Sequence, residues 1–295
     1  IIPPLVTPLL YNDTLEIKGL ENLIERLMAG GVHGLFILGT TGEAQSISYC
    51  VRRQMIEETS RINNKRLPLL VCISDTSITE SIKLANIAAD CGADAVVSAP
   101  PYYYAPSQVE LAEFYHDLAD RLPLPLFLYN MPSHTKVNVA PETIRQIAEN
   151  KNVIGFKYSS ANAVYFQSVM TAMKDRPDFS MLVGPEEITG EIVLMGGHGG
   201  INGGANMFPE LYVSLYNAAE AGNLQEVRRL QKTIMQISTT IYTVGKYGSS
   251  YLKGVKCALG LLGVCNDHLA APFHKFKEPE REKIRQALKN IQAML

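Results

Sequence analysis

The strongest constraint on the fold of this 295-residue chain is an alternation that runs through its first 222 residues. Short runs rich in Val, Ile, Leu and Phe alternate with longer amphipathic stretches. The short runs predict strands over 1–7, 33–38, 67–73, 94–98, 125–130, 153–158, 179–183 and 199–203. Between them, residues 16–30, 48–63, 77–91, 107–121, 141–150, 161–174 and 186–195 carry apolar side chains at helical spacing, as with Leu20, Leu23, Ile24 and Leu27. The strand cores are continuously apolar, which suits parallel strands covered on both faces. Eight such units predict an α/β chain folded as a (β/α)₈ TIM barrel. An open doubly wound sheet is the competing arrangement. It calls for a glycine fingerprint after the first strand, where this chain has Thr7-Pro8-Leu9. Beyond residue 222 the strands stop, and 224–244, 249–262 and 278–295 read as helices. The expected division is a catalytic barrel over 1–222 and a C-terminal three-helix appendage over 223–295.

Composition excludes several function classes. Lys plus Arg number 27 against 29 Asp plus Glu, so a formal charge of −2 offers no basic surface for a nucleic acid or an anionic membrane. No apolar run reaches 18 residues. The five cysteines, Cys50, Cys72, Cys91, Cys257 and Cys265, are odd in number and irregular in spacing, which favours buried free thiols and a cytoplasmic location. Ile1 opens the chain without a methionine, which leaves room for a short preceding segment, and no signal peptide is visible.

In a (β/α)₈ barrel the reactive groups stand at the C-terminal ends of the strands. Polar residues there include Gly39-Thr40-Thr41-Gly42-Glu43, Tyr129-Asn130, Lys157 and the glycine-dense 199–204. Lys157 is the most informative. Period-two alternation puts Val153, Gly155 and Lys157 on one face, so that Gly155 leaves space beneath the lysine if that face points inward. A buried lysine favours its neutral amine, and a neutral amine can attack a ketone to form an imine. A lysine snorkelling from a strand end is the alternative. Tyr129 can serve as a proton-transfer phenol or as a packed core tyrosine. Hydroxyls and amides of the Thr40-Thr41 turn can hold a carboxylate, although such turns are as often structural.

Five segments together resemble the dihydrodipicolinate synthase / N-acetylneuraminate lyase family of class I pyruvate-dependent aldolases. They are Gly39-Thr40-Thr41-Gly42-Glu43, Pro101-Tyr102-Tyr103 with Pro106-Ser107-Gln108, Tyr129-Asn130-Met131-Pro132-Ser133, Gly155-Phe156-Lys157 and Gly196-Gly197-His198-Gly199. Their order and spacing agree along essentially the whole chain, the terminal helices included. The resemblance implies a barrel lyase without metal or dissociable cofactor, working through a covalent imine on Lys157. Tyr129 would be the proton-transfer phenol, Thr40 the relay hydroxyl, and Tyr103 a relay member reaching into a neighbouring subunit's site. Thr41 would bind the pyruvate carboxylate, with Gly42, His134, Gly184 and Ile201 completing the substrate site. It also implies pyruvate with an aldehyde as small-molecule partners, and a homotetramer built as a dimer of dimers.

Two departures bear on the second substrate. The lysine-pathway synthases have Arg where this chain has His134, so the bidentate fork for an aldehyde's carboxylate is missing. A Gly-Thr-Gly turn is replaced by Ile73-Ser74-Asp75, and Asp75 would repel a second carboxylate if it points inward. A 4-hydroxy-tetrahydrodipicolinate synthase of lysine biosynthesis therefore competes with an aldolase or dehydratase for sugar-derived 2-oxo acids. A metal-dependent aldolase would need clustered ligands, and the six histidines show no ligand spacing.

Overall fold

The computed structural model describes residues 1–11 and 13–295 of the chain. Seven parallel strands lie in chain order: Leu35–Ile37, Leu69–Cys72, Ala95–Ser98, Leu126–Asn130, Val153–Tyr158, Ser180–Val183 and Gly199–Gly200. All seven are fully or almost fully buried, which is why their sequences lack alternation. The expected first strand, 1–7, is the eighth stave without forming a regular ladder. Ile2 N–H donates to the Gly200 carbonyl (2.9 Å), His33 N–H to Ile1 (2.8 Å), Phe36 N–H to Pro3 (3.1 Å) and Leu5 N–H to Phe36 (2.8 Å). A single parallel bridge, Pro4 to Phe36, is all that the pairing regularises. Pro3 and Pro4 have no N–H to give, so the ladder breaks where the barrel closes.

Between the strands run the expected helices, with ends shifted by up to three residues. Several begin at side-chain caps: Ser48 accepts from Val51 N–H, Asn162 from Tyr165 N–H, and Ser107 forms a reciprocal capping box with Glu110. Other elements differ from expectation. A small antiparallel pair, Leu9–Tyr11 with Thr14–Leu15, precedes the first helix. The stretch 186–195 divides into a 3₁₀ turn, Glu186–Ile188, and a helix, Thr189–Leu194. Pro132–Thr135 forms a one-turn helix, and Pro209–Glu220 is a helix that apolar spacing alone did not single out.

The C-terminal helices Leu224–Thr240, Ser250–Leu261 and Glu278–Gln292 pack against the barrel. A buried ion pair between Lys256 and Glu43 ties the middle one to the turn after the strand Leu35–Ile37, and Lys256 also donates to the His268 carbonyl (2.6 Å). These helices carry residues into the mouth of the barrel. Cys72, Cys257 and Cys265 are buried free thiols as expected, whereas Cys50 is exposed on its helix. Among the described residues no helix is long and apolar enough to cross a membrane.

Candidate active site

Strand register determines which side chains meet. Tyr129 on Leu126–Asn130 is paired directly with Lys157 on Val153–Tyr158, and Phe127 with Gly155 one layer below. Both Tyr129 and Lys157 are buried, and both line a cavity of about 690 Å³ at the C-terminal ends of the strands. Lys157 Nζ lies 3.8 Å from the centroid of the Tyr129 ring and 4.5 Å from that of Phe36. Among the described residues it forms no ion pair. One expectation is corrected here. The space above Gly155 is filled by the Phe127 ring, whose Cε1 would lie 2.2 Å from a Cβ at that position. The glycine makes room for its register partner rather than for the lysine.

The turn after Leu35–Ile37 is held in an unusual backbone conformation, with Leu38 at φ 59° and Glu43 at φ 56°. It projects Thr40 and Thr41 into the cavity. Thr40 Oγ1 lies 3.2 Å from the Tyr129 hydroxyl, and that hydroxyl donates to Met131 Sδ at 2.7 Å. Thr41 is buried, with Oγ1 3.1 Å from the Tyr251 hydroxyl. Gly42 lies under the turn: a Cβ there would be 3.1 Å from Leu38 N, and its carbonyl accepts from Thr7 Oγ1 at 2.6 Å. Its role in this chain is to close the turn, and it does not line the cavity. Gly184 and Ile201 do line it.

Tyr103 stands apart. It is 80% exposed and packs edge-on against Tyr104, and its neighbour Tyr102 faces the chain's own cavity instead. His134 lines the mouth, with Nδ1 3.0 Å from Ser133 Oγ. Desolvation at the cavity mouth and then the nearby Lys136 charge lower its pKa from the ordinary value, which favours the uncharged ring. Lys136 turns back to the Ser133 carbonyl and is not part of the lining. Asp75 does not point into the cavity. Its carboxylate accepts from Arg52 (3.1 Å), Tyr49 (2.8 Å) and Ser77 N–H (3.0 Å), so the repulsion considered above does not arise.

Sequence reasoning missed a second cluster. Glu186 is 3% exposed and accepts from Tyr212 (2.9 Å), from Gly204 N–H (2.8 Å) and from Tyr242. Burial pushes its pKa up to about 7, against the pull of these donors. Glu187 beside it also faces the cavity and accepts from Ser238. The only signal was the pair Glu186-Glu187 at a strand end, since the tyrosines arrive from remote segments, Tyr212 from the helix Pro209–Glu220 and Tyr242 from the turn after Leu224–Thr240. Among the described residues no three His, Cys, Asp or Glu side chains converge as they would around a metal ion.

Comparisons with known proteins agree along the chain's whole length. The family model of the Dihydrodipicolinate synthetase family matches residues 1–291. A 4-hydroxy-tetrahydrodipicolinate synthase from Methanopyrus kandleri is 32% identical over 295 residues, covering 99% of this chain and 95% of that protein. Among solved structures, a dihydrodipicolinate synthase from Bacteroides thetaiotaomicron is 71% identical with a TM-score of 0.96, covering 98% of this chain and 97% of its own. A prophage protein of the dihydrodipicolinic acid synthase family from E. coli K12, solved in complex with pyruvate, is 27% identical with a TM-score of 0.93 and covers 99% and 97%.

Proposed function

This chain belongs to the dihydrodipicolinate synthetase family, and on that premise we propose that it is a Schiff-base aldolase or lyase that joins pyruvate to an aldehyde, or releases it, through Lys157. The observation that carries the reading is the buried Lys157 amine, stacked over the Tyr129 ring and without a counter-ion among the described residues, in a cavity that also presents the hydroxyls of Thr40 and Thr41. Pyruvate, bound by the E. coli relative, fits a site with one amine and hydroxyl donors for a carboxylate.

The chemistry needs only groups of the protein and the substrates. The Lys157 amine adds to the ketone carbon, and the carbinolamine loses water to give a protonated imine. Loss of a methyl proton gives an enamine, whose carbon attacks the aldehyde. The new alkoxide takes a proton, and water then cleaves the carbon–nitrogen bond and frees the amine. Tyr129 and Thr40, 3.2 Å apart, hold and move these protons. Tyr103, exposed on the isolated chain, would complete the relay from a neighbouring subunit in a homotetramer. The barrel over 1–222 carries the reacting groups, and the helical region over 223–295 supplies part of the wall. A cytoplasmic location suits five free thiols.

A specific feature favours hydroxylated, uncharged aldehydes over aspartate-semialdehyde as second substrate. Among the described residues no guanidinium lines the cavity, the His134 pKa is lowered so that its charged form is disfavoured, and Glu187 faces inward. A second carboxylate there would meet no fixed cation other than the amine already used for the imine.

Borohydride reduction with pyruvate, followed by mass mapping, tests the core reading. The label should fall on Lys157 and vanish in Lys157→Ala. A label on Lys253 or Lys256, or one that survives the substitution, overturns it.

A further inference from the structure

Thr41 would meet the carboxylate of a 2-oxo acid, and a hydroxyl serves an anion only if its proton points at it. A threonine hydroxyl has one proton and can spend it elsewhere, so its orientation must be set by a neighbour. The neighbour here is Tyr251, on the helix Ser250–Leu261, with its hydroxyl 3.1 Å from Thr41 Oγ1. Burial first, and then the negative charge of Glu186, raise the pKa of this phenol far above the working range, so it always has a proton to give. Thr41 Oγ1 is the one hydrogen-bond partner of that phenol among the described residues. If Tyr251 donates, the Thr41 proton is released toward the cavity. If Thr41 donated instead, its lone pairs would face the incoming anion.

The surroundings are built to place the phenol. A Cβ on Gly203 would come within 1.7 Å of the Tyr251 hydroxyl, so that residue must be glycine for the ring to reach Thr41. The Tyr242 ring meets the Tyr251 ring edge-on, with centroids 4.8 Å apart, and Tyr242 is itself anchored by its hydrogen bond to Glu186. Gly204 leaves the corresponding space for Tyr212 and Tyr242, since a Cβ there would lie 1.8 Å and 2.8 Å from their hydroxyls.

We propose that Tyr251 is a positioning residue for the 2-oxo acid: by donating its phenolic proton to Thr41 Oγ1, it turns the Thr41 proton toward the substrate carboxylate. The inference rests on the aldolase reading above. It adds a residue from the C-terminal helices to carboxylate binding at the opposite side of the chain's sequence.

Tyr251→Phe removes one oxygen and keeps the ring. It should raise KM for pyruvate about tenfold, the scale of one hydrogen bond, while kcat changes less than twofold, because binding before and at the transition state is lost equally. Borohydride trapping at saturating pyruvate should still label Lys157 in this variant, which separates failure of this inference from failure of the aldolase reading. Thr41→Val should raise the same KM, and the double variant should be no worse than Thr41→Val alone. An unchanged KM in Tyr251→Phe, a loss mainly in kcat, or additive effects in the double variant would overturn the proposal. Should Tyr251→Phe not fold, Thr41→Ser and Thr41→Val decide it in the wild-type background: the hydroxyl-bearing serine must keep KM low, and equal KM values in the two overturn the proposal.

Discussion

The Phe127 ring occupies the space that any side chain on Gly155 would need, with Cε1 2.2 Å from the position of a Cβ. The two residues are register partners, and one layer above them the same pairing joins Tyr129 to Lys157. The lower pair is thus the floor on which the reactive pair stands. Gly155→Ala should force Phe127 from its position and shift the strand. The expected cost is about 1–3 kcal/mol of stability, as for other overpacked cores, with slower imine trapping at Lys157. Denaturant melts with trapping rates check this; a variant with wild-type values of both would mean that the floor yields without effect.

Tyr129→Phe should fold normally, because the ring keeps its packing against Lys157. The hydroxyl is shared between Thr40 and Met131, and its loss should lower kcat by roughly 10²–10⁴-fold, the usual share of positioned acid–base catalysis. Steady-state kinetics with pyruvate and a working aldehyde measure it. A loss below about threefold would demote the phenol to a packing residue.

Glu186 should make stability depend on pH in a defined window. Its folded pKa is raised to about 7 from an ordinary 4.5. Below 4.5 the carboxyl is protonated both folded and unfolded, and its contribution is fully present. As pH rises to about 7 the unfolded chain releases a proton that the folded protein keeps, so stability falls, and it levels off above that. The total is about 3 kcal/mol at most. The difference in unfolding free energy between wild type and Glu186→Gln should therefore shrink from pH 4.5 to pH 8. A difference that stays flat across this range would show that the carboxyl is not held in its neutral form.

His134→Arg should restore the fork for a carboxylate-bearing aldehyde. The kcat/KM for aspartate-semialdehyde should rise tenfold or more, in line with one charge-assisted bidentate contact, and the wild type should prefer hydroxylated aldehydes. Because the His134 pKa is lowered, the ring gains its charge only on acidification, and any use of the semialdehyde by the wild type should increase there. A wild-type kcat/KM for the semialdehyde of about 10⁴ M⁻¹s⁻¹ or above, with no better acceptor, would count against the assignment.

How much was readable in advance follows from the range of each interaction. The βα alternation, the parallel barrel and the placing of Thr40, Tyr129 and Lys157 at strand ends are local properties: they depend on period and on position within one run, and residues 33–38, 125–130 and 153–158 carry that information themselves. The same local rule failed for Gly155, because the sequence says that a space exists and not which neighbour fills it. Whether Asp75 faces the cavity could not be told from its own run, because its partner Arg52 lies on a separate helix 23 residues away. Glu186 and Tyr251 were invisible for a related reason. The phenols that hydrogen-bond Glu186 come from the helix Pro209–Glu220 and from the turn after the helix Leu224–Thr240, and Thr41 and Tyr251 are 210 residues apart. By itself the sequence determined the repeating units and which residue types stand at their ends, since backbone periodicity and apolar burial act over a few residues. Tertiary structure alone decided which hydroxyl faces which, because hydrogen bonds between remote residues depend on how the closed barrel and its C-terminal helices pack.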